Sequence, residues 1–159
     1  MTDLQMTPGV AAHRELLNNF HWEVIPMKNL EGQREHIPAG ESVSVTCSPV
    51  KGIDETVRLS EEFAAAGHKV TAHFAGRMVT SIDDLKGWLG RLDAAGVTSL
   101  FCIAGDGEEP AGPFMDSLQL IEAVLEHGDF LTDIGFGSYP DGHAFIDNDA
   151  LQSLSLIHI

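Results

Sequence analysis

Five short apolar runs recur along the chain, and segments with helical periodicity separate the last four. That alternation is the strongest constraint on the fold. Residues 22–26 (Trp-Glu-Val-Ile-Pro) form the first run and residues 42–47 (Ser-Val-Ser-Val-Thr-Cys) the second. Both carry the β-branched residues that pack well on a pleated surface. A helix is predicted over 54–66, where Leu59 and Phe63 share a face and Gly67 closes the last turn. Residues 68–75 read as a third strand, with Val70, Ala72 and Phe74 in alternation. Ser81 is a natural N-cap for the next helix, with Asp84 three residues on and Gly96 at its end. Residues 98–104 then read as a strand, 114–126 as a helix and 131–137 as a fifth strand. The connector 27–41 contains Gly32, Pro38 and Gly40, so any helix in it must be short. Residues 11–19 are predicted to add a short helix ahead of the first strand.

Repeating βα units of roughly 25 to 30 residues imply an α/β fold with a parallel sheet and right-handed crossovers. Two architectures fit, an open doubly wound sheet and a (β/α)8 TIM barrel. On pattern alone a flavodoxin-like sheet is the simpler choice, because five strands are too few for a barrel that typically takes ~250 residues. With 159 residues, 43% of them hydrophobic, the chain is not a disordered one. Its net charge of −15 argues against nucleic acid and anionic membranes as partners. Residues 1–10 lack a basic region followed by an apolar core, and no apolar run approaches the ~20 residues of a membrane span. A cytoplasmic location is therefore expected. Cys47 and Cys102 have no CxxC partner and are expected to be buried free thiols of a reducing compartment.

The polar residues favour the barrel. Glu23, Thr46, His73, Asp106, Tyr139 and His143 fall at or near the C-terminal ends of successive strands. In parallel α/β folds that edge is where sites are assembled. Glu23 sits between Trp22 and Val24, and burial there would raise its pKa and suit it to general acid catalysis. The turn Ala104-Gly105-Asp106-Gly107 leaves its backbone open to a close ligand, with an anionic side chain at the tip. Tyr139-Pro140-Asp141-Gly142-His143 brings an aromatic ring and an imidazole to the same edge. A rival metal set of His73, Asp106 and His143 lacks any local HxH, HExxH or HxxxH spacing, so no metal is expected. GxGxxG, GK[ST] and GxSxG are all absent, and no cysteine is arranged as a nucleophile.

These motifs, in this order, resemble the methylenetetrahydrofolate reductase family. Trp22-Glu23-Val24-Ile25-Pro26-Met27 is similar to the family's F-E-F-x-P-P, and Ser44-Val45-Thr46 matches its S-V-T. His73-Phe74-Ala75-Gly76 loosely matches H-L-T-C, and Ile103-Ala104-Gly105-Asp106 matches L-R-G-D. Residues 137–144 are similar to A-x-Y-P-E-x-H-P. The resemblance implies the N-terminal part of a flavin-containing (β/α)8 barrel, about five βα units long. Such enzymes pass hydride from NAD(P)H through FAD to 5,10-methylenetetrahydrofolate, giving 5-methyltetrahydrofolate. It implies Glu23 as the general acid and Asp106 as a residue between flavin and pterin. Thr46, Cys47, His73, Gly105, Asp106, Tyr139 and His143 are implied as flavin contacts. A folate-type small molecule is the implied partner, and homo-oligomerisation stays open. Ala104, Met27 and Gly76 replace the family's Arg, second Pro and Cys, which leaves the electron donor and the pterin carrier open. Two other readings remain, a non-catalytic βα ligand-binding module and a metal-dependent barrel hydrolase.

The family's barrel continues for three further strands. The division expected is an N-terminal extension over 1–20, a partial barrel over 21–152 and a non-native tail over 153–159. The last six residues, Leu-Ser-Leu-Ile-His-Ile, match a translated transposon-end adapter. An open partial barrel is expected to self-associate through its unpaired edges and to lack activity on its own.

Overall fold

All five strands run parallel in the computed structural model, which describes residues 21–156. The helix predicted over 11–19 lies outside the described residues. In chain order the elements are β1 (His21–Val24), α1 (Leu30–Arg34), β2 (Ser42–Val45), α2 (Gly52–Ala65) and β3 (Lys69–Ala75). A 3-10 turn (Gly76–Met78), α3 (Ile82–Ala94), β4 (Ser99–Ile103), α4 (Ser117–His127), β5 (Asp133–Phe136) and α5 (Asn148–Leu156) follow. The strands pair in the order β1-β2-β3-β4-β5. A flavodoxin-like sheet would have shown the reversed order 2-1-3-4-5, so the doubly wound choice fails. Strands added in chain order through crossovers of one hand leave every helix on the same face. Accordingly α2 packs on α3, α3 on α4 and α4 on α5.

The register shows how each strand divides its side chains. Val24, Val45, Ala72, Leu100 and Ile134 lie side by side across the sheet. The first four are buried against the helices. The adjacent row, Glu23, Ser44, Thr71, Ser99 and Asp133, faces the other way. Among the described residues no helix covers that second face, and its row is polar. The two faces thus separate core from candidate site, since successive strand residues point to opposite sides.

The face of α2 was legible from the spacing of Leu59 and Phe63. Leu85, Leu89 and Leu92 of α3 are fully buried, as are Leu59 and Phe63 of α2. Each such side chain contributes about 1.5–3 kcal/mol by leaving water. Ser81 Oγ accepts the Asp84 N–H at 3.1 Å, the cap expected for α3. Gly67 and Gly96 follow α2 and α3 with φ of +89° and +72°, the left-handed conformation that ends helices. The fourth helix begins at Ser117, three residues later than expected. Asp116 Oδ1 accepts the Gln119 N–H at 2.9 Å and caps it there, while Phe114 is buried in the preceding loop. Among the described residues no helix is long and apolar enough to cross a membrane.

Candidate functional site

The strands' C-terminal edge is built around Arg77, which directly follows β3 and the start of its 3-10 turn. Its side chain is buried. Nε donates to the Gly107 carbonyl at 2.6 Å, one terminal nitrogen to Met115 at 2.8 Å and the other to Glu108. Its backbone N–H donates to Ala104 O at 2.9 Å, and its carbonyl accepts from Ala111 N at 2.8 Å. One residue therefore ties the whole β4–α4 loop to the end of β3. Gly112 belongs to the same packing, because a Cβ there would overlap the carbonyl oxygens of Val79 and Thr80.

That loop presents Gly105 and Asp106. Gly105 has φ +91°, and a Cβ on it would stand 3.1 Å from the Ala75 Cβ. Only glycine takes this turn without strain. Asp106 is exposed at the tip. Beside it, the Tyr139 hydroxyl accepts the Ala104 N–H at 3.2 Å. Tyr139 itself has φ +45°, an uncommon conformation for a residue with a side chain. The His143 ring meets the Tyr139 ring edge-on at 4.8 Å. His143 Nδ1 accepts the Phe145 N–H at 3.2 Å, so the neutral imidazole carries its proton on Nε2. The Arg77 guanidinium lies 5.6 Å from the Phe145 ring centre. Gly105, Tyr139 and His143 thus form one connected group at the ends of β4 and β5.

A second group lies toward β1–β3. Thr46 Oγ1 donates to Val24 O at 3.1 Å and holds the end of β1. The Thr46 carbonyl in turn accepts from Thr56 Oγ1 at 3.1 Å. The Cys47 thiol is 3.6 Å from the Met78 sulfur, and burial pushes its pKa up. Cys102 is fully buried and its thiol is pushed up to about 12. Both cysteines are free. His73 lies on the open sheet face with its ring 4.9 Å from Phe101. Burial lowers its pKa below the ordinary 6.5, and the nearby Glu23 carboxylate pulls it partly back.

The expected burial of Glu23 is not observed. It is exposed, because Trp22 and Val24 turn toward the helices and the alternation sends Glu23 to the open face. No apolar shell surrounds it in this chain. The rival metal set is also separated into two places, with His73 against Phe101 and His143 against Tyr139. Among the described residues no three His, Cys, Asp or Glu side chains are placed to hold a metal ion.

Arg77 was missed by sequence reasoning. The available signal was an arginine embedded in the apolar stretch 70–79, since a charged residue in such a run must be partnered if it is buried. The polar row across the open face was missed too, because register is invisible in one strand at a time. No protein-family model matches the chain.

The lowered His73 pKa has a measurable consequence. Between its folded value and 6.5 the unfolded chain binds more protons, so stability falls as pH drops through that window. The contribution is fully present above 6.5. A histidine NMR titration should place the His73 midpoint below 6.5. A midpoint above that value would show that the carboxylate of Glu23 outweighs desolvation.

Proposed function

We propose that this chain carries the flavin-binding side of a methylenetetrahydrofolate reductase-like active site on a (β/α)8 barrel. The observation that carries the reading is the sequential parallel strand order, with helices on one face only. A barrel is built in that order, and its sites form at the C-terminal edge. Glu23, Thr46, His73, Asp106, Tyr139 and His143 occupy that edge or the open face. The residues present fit a flat, polar-edged ring system. Gly105 brings bare backbone to the edge, and Tyr139 and His143 offer two aromatic rings beside it.

On this reading Thr46, Cys47, His73, Gly105, Asp106, Tyr139 and His143 would hold FAD. Bound FAD supplies the hydride relay between NAD(P)H and a folate-type substrate. Glu23, on the open face, would deliver a proton from its carboxyl oxygen to a substrate nitrogen once bound substrate shields it from water. Asp106 places a negative charge at the edge, at the tip of the loop that Arg77 fixes. Tyr139 and His143 limit where a ring can lie, and the Tyr139 hydroxyl keeps β4 and β5 in register at their ends. The reading makes this a cytoplasmic oxidoreductase of one-carbon metabolism.

The visible spectrum of the purified protein after incubation with FAD tests the assignment. Retention of the two-banded yellow spectrum of bound flavin through gel filtration is the expected result. A colourless protein would overturn it. Stoichiometric zinc in that colourless protein would move the reading to a metal-dependent hydrolase.

A further inference from the structure

The opposite end of the sheet holds a cavity of about 390 Å³ at the N-terminal ends of the strands. His21, Ser42, His68, Lys69, Thr98 and Asp133 are among the residues that line it. In a chain of net charge −15, this is an unusual concentration of basic and hydroxyl groups. His21, Ser42 and Lys69 lie side by side in register at the starts of β1, β2 and β3. They are held by the sheet and not by a mobile surface.

Proton accounting shows what the cavity offers. His68 lines the cavity, but its Nδ1 is closed off from solvent and has no partner among the described residues, so it is not one of the groups offered to a ligand there. Its ring is kept in place edge-on to Phe63 at 5.6 Å. Thr98 Oγ1 accepts from Thr132 Oγ1 at 3.1 Å, which leaves the Thr98 hydroxyl proton to donate. His21 Nδ1 faces Ser44 Oγ at 3.4 Å, which leaves its Nε2 for another partner. Arg34, Arg58 and Arg91 are ion-paired, whereas Lys69 forms no ion pair among the described residues. The opposing charges are Asp133 and, two residues along β1 from His21, Glu23. The Asp133 carboxylate accepts the Ser99 hydroxyl at 2.9 Å.

We propose that this cavity binds a phosphate group, free or as a phosphate monoester. The donors come from several directions and include one point-charge ammonium. That set suits a tetrahedral dianion with many acceptor oxygens better than a flat carboxylate, which is matched by the arginine fork. The site is independent of the flavin chemistry proposed for the other end.

Amide NMR of the folded chain titrated with inorganic phosphate tests it, with chloride at equal ionic strength as control. Saturable shifts at Lys69, Gly96, Val97 and Thr98 are expected. Lys69→Gln should weaken binding about tenfold, as loss of one charge-assisted bond does. Lys69 is exposed, so this variant tests the charge without disturbing the core. Asp133→Asn should tighten binding. Glycerol phosphate binding tighter than inorganic phosphate identifies an ester as the ligand, and the reverse identifies the free ion. Linear shifts without saturation, equal affinity in Lys69→Gln, or succinate binding as well as phosphate would each overturn the proposal.

Discussion

Replacing Arg77 with leucine should destabilise the fold by about 3–5 kcal/mol and release the loop between β4 and α4. The guanidinium is buried and bonds three backbone carbonyls, those of Gly107, Glu108 and Met115. Leucine would remove the charged donor from all three carbonyls at once, and a hydrogen bond to a charged group is worth about 1.5–3 kcal/mol. The loop cannot repair the loss by sliding, because Gly112 is packed directly on the Val79 and Thr80 carbonyls. Arg77→Lys keeps the charge but not the fork, and should recover only part of the stability. Urea denaturation gives the free energy, and amide exchange over residues 105–115 locates it. A leucine variant within about 1 kcal/mol of the parent chain would show that water replaces the guanidinium.

The second large effect concerns Glu23 and follows from the proposed reductase chemistry. Glu23→Gln keeps the shape and hydrogen-bonding size of the side chain but removes its acidic proton. Folate reduction should fall about 10²–10⁴-fold, the range for losing a positioned general acid. Reduction of the flavin by its donor needs no such proton and should change little. Stopped-flow measurement of the two half-reactions in the intact enzyme separates them. If both fell together, Glu23 would be a binding residue and not the acid. The exposed position of Glu23 means that stability should barely respond, because no buried partner is lost.

Local rules carried much of the fold. Ser81 as a cap and Gly67 and Gly96 as helix ends were readable because each acts within one turn of chain. The apolar row of β3 was readable from alternation of Val70, Ala72 and Phe74. What stayed hidden depended on neighbours distant in sequence. Strand order is a pairing property, and the pattern of βα units alone is compatible with both reversed and sequential sheets. The start of α4 was hidden for a different reason. Phe114 is buried as a helix residue would be, yet Asp116 caps the helix two residues further on. At the candidate site, the residue types at the strand ends were legible, but their exposure was not. Glu23 was expected inside an apolar shell because its flanking residues are apolar. Those neighbours serve the opposite face. Tyr139 was legible as part of a turn, whereas its left-handed backbone was not, since that conformation is usually met by glycine or asparagine.

The strand order also bears on how the chain finds its structure. Among the described residues every strand pairs with the strand next to it in the chain, so none of these pairings waits on a distant element. Loop closure then costs nearly the same at each step, because that cost grows only slowly with loop length. Contacts of this kind favour rapid folding relative to sheets with long-range pairings. Collapse can begin at the central pair β3 and β4, where Ala72, Phe74, Leu100 and Cys102 are fully buried, and extend one βα unit at a time toward either edge. The Arg77 loop and the Lys69 and Thr98 side of the cavity lie at opposite ends of those two strands and would take shape first, whereas His21, Ser42 and Asp133 would complete the cavity as the outer strands add.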